Sequence, residues 1–229
     1  MAQDPKSQPR MIWRGFCYGP LSASVLNPLL SVADMLGAFA EKSSEVRLSA
    51  LGLMVMGLAC SGIAVALYPA MRQRHPAMAL GSVLFRSLEG VLHLLVAVAF
   101  LTLTSISGQQ GDAGGLTALM RVTLDASNNM VFAGTCAWGI GGLLYYAVMR
   151  RQRLVPAWLA LWGTAGLGLC MLSAVLSFLG LYGLESAMHT ALSMSIALQE
   201  LALAAWLLFK GFGPVIQAQP GANMAPAHK

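Results

Sequence analysis

Three ionisable side chains, Arg86, Glu89 and His93, interrupt the apolar stretch FRSLEGVLHLL at residues 85–95. Their spacings of three and four residues place them on one face of a helix. A fourth, Glu200, stands in another apolar stretch, SIALQELALAAWLLFK. An isolated charge at mid-membrane costs at least about 2.5–3.5 kcal/mol on insertion scales, so such groups are expected to face the bundle interior and to pair. Residues of these types bind a solute or ion, carry a proton, or hold helices in register.

Counting along the helix axis places these four groups at similar depths. At about 1.5 Å per residue, Arg86 lies about 12 Å from the inner end of its span, and Glu89 and His93 lie near mid-membrane. Glu200 is about ten residues from Lys210, which gives it a similar depth. The simplest arrangement places Arg86 between Glu89 and Glu200 and links the third and sixth predicted spans. The set is either a structural ion-pair network or a site for a substrate, ion or proton.

Histidine and cysteine give no indication of metal or redox chemistry. His93 is alone at its depth, and His189 lies at the outer end of the last span, about 15 Å away along the membrane normal, too far for a shared haem or metal. We therefore expect His93 to be a hydrogen-bonded packing residue, and we expect no metal and no cofactor. The cysteines are isolated within predicted spans, without a Cys-x-x-Cys motif, and are expected to be free thiols: Cys17, Cys60, Cys136 and Cys170.

A second polar group, Asp125, Asn128 and Asn129, opens the fourth predicted span at its outer end. Such residues most simply cap the helix. The alternative is a polar vestibule that leads toward His93.

Composition excludes several classes of protein. The chain has 229 residues, of which 57% are hydrophobic and 10% charged, and its mean hydropathy is +0.66. A typical soluble domain is roughly 45–50% apolar. Soluble, nucleic-acid-binding and disordered classes are therefore excluded, and the long apolar runs indicate membrane spans.

Six stretches approach the roughly 20 apolar residues that a spanning helix needs. The first is the weakest, because Pro20, Asn27 and Pro28 interrupt it, and it is either a broken or a re-entrant helix. Between the spans, residues 37–47 are expected to form an exposed helical turn or two, and residues 104–127 a flexible loop ending in a short interfacial helix. The six predicted spans are 14–36, 48–70, 78–105, 128–149, 154–181 and 187–210.

The distribution of positive charge orients these spans. With both termini cytoplasmic, ten lysines and arginines fall on the inner side and three on the outer side, as the positive-inside rule requires. Seven aromatic residues near the inner ends agree with this orientation. The inner cations are Lys6, Arg10, Arg14, Arg72, Arg74, Arg150, Arg151, Arg153, Lys210 and Lys229; the outer ones are Lys42, Arg47 and Arg121; the aromatics are Trp13, Tyr18, Tyr68, Tyr145, Tyr146, Trp158 and Trp206.

The fold class that follows is all-α, an integral membrane bundle of about six transmembrane helices with both termini cytoplasmic. Its divisions are a cytoplasmic segment 1–13, the transmembrane domain 14–212 and a disordered cytoplasmic tail 213–229. Small residues four apart, Gly62 with Ala66 and Thr164 with Gly168, would let helices approach closely.

Three motifs resemble those of a bacterial family of multi-span membrane proteins known as domain of unknown function 4386. They are FRSLEG, LLYYAVMRRQRLVPAWLALWG and LQELALAAWLLFKGF. The resemblance covers most of the chain from the second span onward. It implies a compact helical membrane domain in which Arg86, Glu89 and Glu200 are the characteristic polar positions, and it supplies no activity.

Three functions remain open for a protein of the bacterial inner membrane. The leading one is a non-enzymatic protein whose polar core, Arg86, Glu89, His93 and Glu200, binds or passes a small solute, ion or proton. The second is a structural or regulatory bundle that acts through partners or lipid. The third is an intramembrane enzyme that acts on a lipid or quinone. The expected partners are membrane lipids and a small solute or ion, with no nucleic acid.

Overall fold

Every regular element is a helix in the part of the chain that the computed structural model describes, residues 34–181 and 187–210. The first predicted span, both predicted terminal segments and Cys17 lie outside these residues, apart from the last three positions of the span. The helices are α1 (Met35–Glu41), α2 (Ser43–Met71), α3 (Pro76–Ser107), α4 (Ala113–Arg151), α5 (Ala157–Phe178) and α6 (Ala187–Phe209).

Helices α2, α3, α4 and α5 are each long and apolar enough to cross a membrane, and α6 contains the shorter apolar segment Ala191–Leu207. They correspond to the second to sixth predicted spans. An all-helical arrangement of this kind confirms the predicted membrane helical bundle.

The fourth predicted span is much longer than its apolar core suggested. Helix α4 has 39 residues and begins at Ala113, where the Asp112 carboxylate accepts a hydrogen bond of 2.6 Å from the Gly115 amide. The predicted loop at 104–127 is therefore confined to residues 108–112, and the helix predicted at its end is continuous with the fourth span. The capping role of Asp125 or the asparagines is wrong, because these residues lie inside α4. Met120 explains the extension, because this fully buried side chain packs the first part of α4 against α1, α2 and α3.

The segment 37–47 is only partly the exposed turn that was predicted. Its charged side chains, among them Glu41 and Lys42, are exposed, and Lys42 separates α1 from α2. Phe39, however, is completely buried and belongs to the same cluster as Met120. Helix α1 therefore closes one end of the bundle, the end that holds the α3–α4 connection.

Two apolar clusters occupy the two ends of the bundle. One joins α1, α2, α3 and the first part of α4 through buried residues that include Leu53, Phe100 and Leu103. The other joins the last part of α4 with α5, α6, the end of α2 and the start of α3, at the end that holds the α4–α5 connection. Helix α3 packs mainly between α2 and α4, whereas α6 packs mainly on α5.

Helices α2 and α3 approach each other closely at two glycines. A Cβ atom on Gly57 would stand 2.6 Å from the Gly90 carbonyl oxygen, and one on Gly90 would stand 2.5 Å from the Gly57 carbonyl oxygen. Any side chain would push the helices apart. The small-residue spacings expected to mark close contacts do not, since Gly62 and Gly168 face open space.

Candidate functional site

A cavity of about 750 Å³ lies between the two apolar clusters, and each of the helices α2 to α6 contributes to its wall. The face of α3 predicted from sequence lines it, with Arg86, Glu89 and His93, and Ser82 extends that face by one turn. Glu200 lines it from α6. All four predicted core residues therefore border one space.

Arg86 and Glu89 form an ion pair, with Arg86 Nη1 2.9 Å from Glu89 Oε2. Both residues are buried, at 9% and 4% exposure. Within the described residues, however, neither of these two atoms has a hydrogen-bond partner of acceptable geometry, and the same holds for Ser82 Oγ. The large majority of buried polar atoms in proteins are hydrogen-bonded. Three adjacent atoms beside a cavity therefore retain hydrogen-bonding capacity.

The proximity of Gly57 and Gly90 brings α2 directly against this ion pair. Cys60, one turn along α2 from Gly57, lines the cavity near the Glu89 side chain. Glu89 therefore has Arg86 as its ion-pair partner on its own helix and the Cys60 thiol as a neighbour on α2.

His93 is hydrogen-bonded, as predicted. Its Nδ1 lies 2.9 Å from the Glu89 carbonyl oxygen. Because a carbonyl oxygen only accepts, Nδ1 carries the proton, and in the neutral ring Nε2 is an acceptor. His93 therefore adds an imidazole ring, fixed through Nδ1, to the cavity wall.

Glu200 does not pair with Arg86 in the way that the sequence suggested. The ion pair of Arg86 is with Glu89, three residues along the same helix, and no ion pair within 4.0 Å joins Arg86 to Glu200 among the described residues. Glu200 instead lines the cavity together with the Trp138 indole of α4. The reason is the packing: α6 lies on α5 rather than on α3, so the cavity separates the two side chains.

A buried chain of hydrogen bonds beside Glu200 was not predicted from the sequence. The Tyr146 hydroxyl donates to Gln199 Oε1 at 2.5 Å, and Gln199 Nε2 donates to the Leu159 carbonyl oxygen at 3.0 Å. Tyr146 had been assigned to an interfacial aromatic belt, but it is 1% exposed. The signal that could have revealed the chain is the amide of Gln199 next to Glu200 in an otherwise apolar run.

Only two members of the second polar group, Asp125, Asn128 and Asn129, line the cavity. Asn128 and Asn129 line the cavity on α4, whereas Asp125 is exposed and outside its wall. The two asparagines add amide groups to the side of the cavity nearer the α3–α4 connection.

The described cysteines are free, in agreement with the prediction for them. Cys60 and Cys170 line the cavity, and Cys136 does not. Among the described residues, no group of three His, Cys, Asp or Glu side chains could hold a metal ion.

The rest of the wall is aliphatic and aromatic. Phe132 of α4 and Phe178 of α5 stack with ring centroids 4.2 Å apart, and Trp138 and Tyr145 face the same space. The cavity therefore has a small charged region and a large apolar one, which is the usual character of a small-molecule site.

These features define a multi-span helical membrane protein with a polar cavity inside its bundle. A comparison with protein families matches residues 11–211 to the family described as Domain of unknown function (DUF4386), and the chain belongs to that family. Comparisons with curated proteins and with solved structures returned no match.

Proposed function

We propose that this protein is a non-enzymatic membrane protein whose cavity binds, or passes, a small solute at Arg86, Glu89 and Glu200. The observation that carries the proposal is the cavity of about 750 Å³ bordered by all three side chains. Pockets for drug-sized ligands typically measure about 300–1,000 Å³, so this space is of a size to accept one.

The lack of further hydrogen bonds to the Arg86–Glu89 ion pair supports a binding role for the pair rather than a purely structural one. A structural ion pair in a bundle core is stable when additional hydrogen bonds satisfy both partners. Here Arg86 Nη1, Glu89 Oε2 and Ser82 Oγ lack such bonds among the described residues and lie at the wall of a cavity. A ligand with polar atoms at this point would satisfy them.

The proposed setting is the bacterial inner membrane, with both termini in the cytoplasm. Its support is the ten-to-three distribution of positive charges and the bacterial family that the motifs resemble. The expected surroundings are membrane lipids on the outside of residues 14–212 and a small solute or ion in the cavity. No nucleic acid is expected as a partner.

The native cysteines provide the test. Two variants would each keep one cysteine and replace the other three by serine: a Cys60-only protein and a Cys136-only protein. A charged, water-soluble methanethiosulfonate should label Cys60, because the thiol lines the cavity, and should spare Cys136, which does not. Labelling is measured by intact-protein mass spectrometry of the folded protein in lipid nanodiscs.

Denatured samples of both variants serve as the control that each thiol is chemically competent. Labelling is repeated at raised pH, because only the thiolate reacts. A Cys60 thiol that under both conditions reacts only after denaturation would contradict the proposal. Equal labelling of both thiols in the folded protein would contradict it as well, because access would then not be specific to the cavity.

A further inference from the structure

The formal charges on the cavity wall do not cancel. Among the described residues that line it, Arg86 is the one cation, and Glu89 and Glu200 are two carboxylates. Arg86 and Glu89 neutralise each other at 2.9 Å. Glu200 has no cation within the 4.0 Å of an ion pair among the described residues, and the Trp138 indole lines the same cavity. One negative charge therefore remains without a cation beside it, and a buried charge is retained at low cost only when it is paired.

The surroundings of Glu200 decide which kind of cation would complement it. A hard metal cation such as Ca²⁺ or Mg²⁺ needs about six or more oxygen ligands. The lining residues around Glu200 on α6 are apolar, namely Ile196, Ala197, Leu203 and Ala204. They offer no side-chain oxygen to complete such a shell, and no group of three His, Cys, Asp or Glu side chains among the described residues could hold a metal ion, so an inorganic divalent ion is disfavoured.

The aromatic side chains favour an organic cation. Trp138, Tyr145 and the stacked pair Phe132–Phe178 all line the cavity. The face of an aromatic ring attracts a cation within about 6 Å, and the attraction is strongest for Trp and larger where water is excluded. Rings and aliphatic groups also provide contact for an apolar body.

We infer that the cavity takes a lipophilic organic monocation, with its charge at Glu200 and Trp138 and its apolar body against the wall that contains Phe132 and Phe178. This inference rests on the proposed function and specifies its ligand class. An organic anion is disfavoured, because Glu89 already neutralises the charge of Arg86. The ion pair and Ser82 Oγ remain able to form hydrogen bonds with an uncharged polar group of the ligand.

Two ions of the same shape and opposite charge test whether the cavity prefers a cation or an anion. Tetraphenylphosphonium is the cationic probe and tetraphenylborate the anionic one. In the Cys60-only protein, the rate of alkylation by the neutral reagent N-ethylmaleimide reports whether the cavity is occupied. At about ten times its Kd, tetraphenylphosphonium should slow alkylation about tenfold, because only the unoccupied fraction reacts. Tetraphenylborate at the same concentration should leave the rate unchanged.

Glu200→Gln in the same background removes the proposed recognition charge, and protection by tetraphenylphosphonium should be lost. Glu45→Gln is the matched control, since Glu45 is an exposed carboxylate at the start of α2 and does not line the cavity. It should retain full protection. Thermal unfolding of each variant in detergent establishes that it is folded, and the comparison of the two probes on the Cys60-only protein stands without any glutamate variant.

The possible results separate this inference from the proposed function. Equal protection by both probes, or protection that survives Glu200→Gln, would overturn the inference. Alkylation of Cys60 with no protection by tetraphenylphosphonium would also overturn it and leave the proposed function standing. A Cys60 that resists both methanethiosulfonate and maleimide until it is denatured would overturn both.

Discussion

At the residue scale, the two carboxylates of the cavity have different roles, although the sequence presented them as equivalent. Glu89 is ion-paired with Arg86 on its own helix and lies near Cys60 of α2. Glu200 has no ion-pair partner among the described residues and lines the cavity with Trp138 of α4. Sequence spacing predicted the first relationship because residues three apart on a helix are neighbours. It could not predict the second, because contacts between helices depend on which helices pack together.

Arg86 should be important for stability through Glu89 rather than through Glu200. Arg86→Ala leaves Glu89 as a buried charge without its cation, and breaking a buried pair from one side typically costs about 3–5 kcal/mol. The double variant Arg86→Ala/Glu89→Gln should recover much of this loss, whereas Arg86→Ala/Glu200→Gln should recover less. Denaturant unfolding of the four proteins in detergent measures the differences. Greater recovery from the Glu200 substitution would mean that Arg86 and Glu200 are the coupled pair.

At the element scale, the cavity exists because the helices pack as two groups with different partners. Helix α3 is held against α2 by the contact of Gly57 with Gly90, and α6 is held against α5 near Gln199. Hydropathy predicted helices α2, α3, α5 and α6 to within a few residues of their ends, except at the start of α2. It failed for the first fifteen residues of α4, whose polar sequence hides the buried face around Met120.

Two glycines in different surroundings, Gly90 on α3 and Gly62 on α2, give a matched test of this packing. Gly90→Ala adds a methyl group where the Gly57 carbonyl oxygen is 2.5 Å away, and overpacking of this kind typically costs about 1–3 kcal/mol. Gly62→Ala adds the same group where nothing lies within 4 Å, and should be neutral or stabilise the helix by up to about 1 kcal/mol. Thermal unfolding in detergent compares the two. A Gly90→Ala protein as stable as Gly62→Ala would show that α2 and α3 are farther apart.

At the scale of the whole molecule, the fold class was accessible from sequence and the site geometry was not. Long apolar runs identify spanning helices because the bilayer sets their length. The four polar residues were also identifiable, because charges in such runs are rare. That they border a cavity, together with Ser82 and Cys60, follows from how five helices meet. No single helix carries that information.

The orientation of the bundle can be tested independently of the segment that precedes α1. From Gly108, at the end of α3, to Ala218 in the tail, the chain passes through α4, α5 and α6. Three crossings place the two positions on opposite sides of the membrane, and the excess of positive charge places Ala218 inside. Reporter fusions at Gly108 and Gly180 should therefore be active outside, and those at Arg153 and Ala218 inside. If Gly180 and Ala218 reported the same side, α6 would not cross, and Glu200 would have to reach the cavity from a re-entrant helix. If each of the four fusions reported the opposite side, the predicted spans would be correct, but the orientation predicted from the positive charges would be wrong.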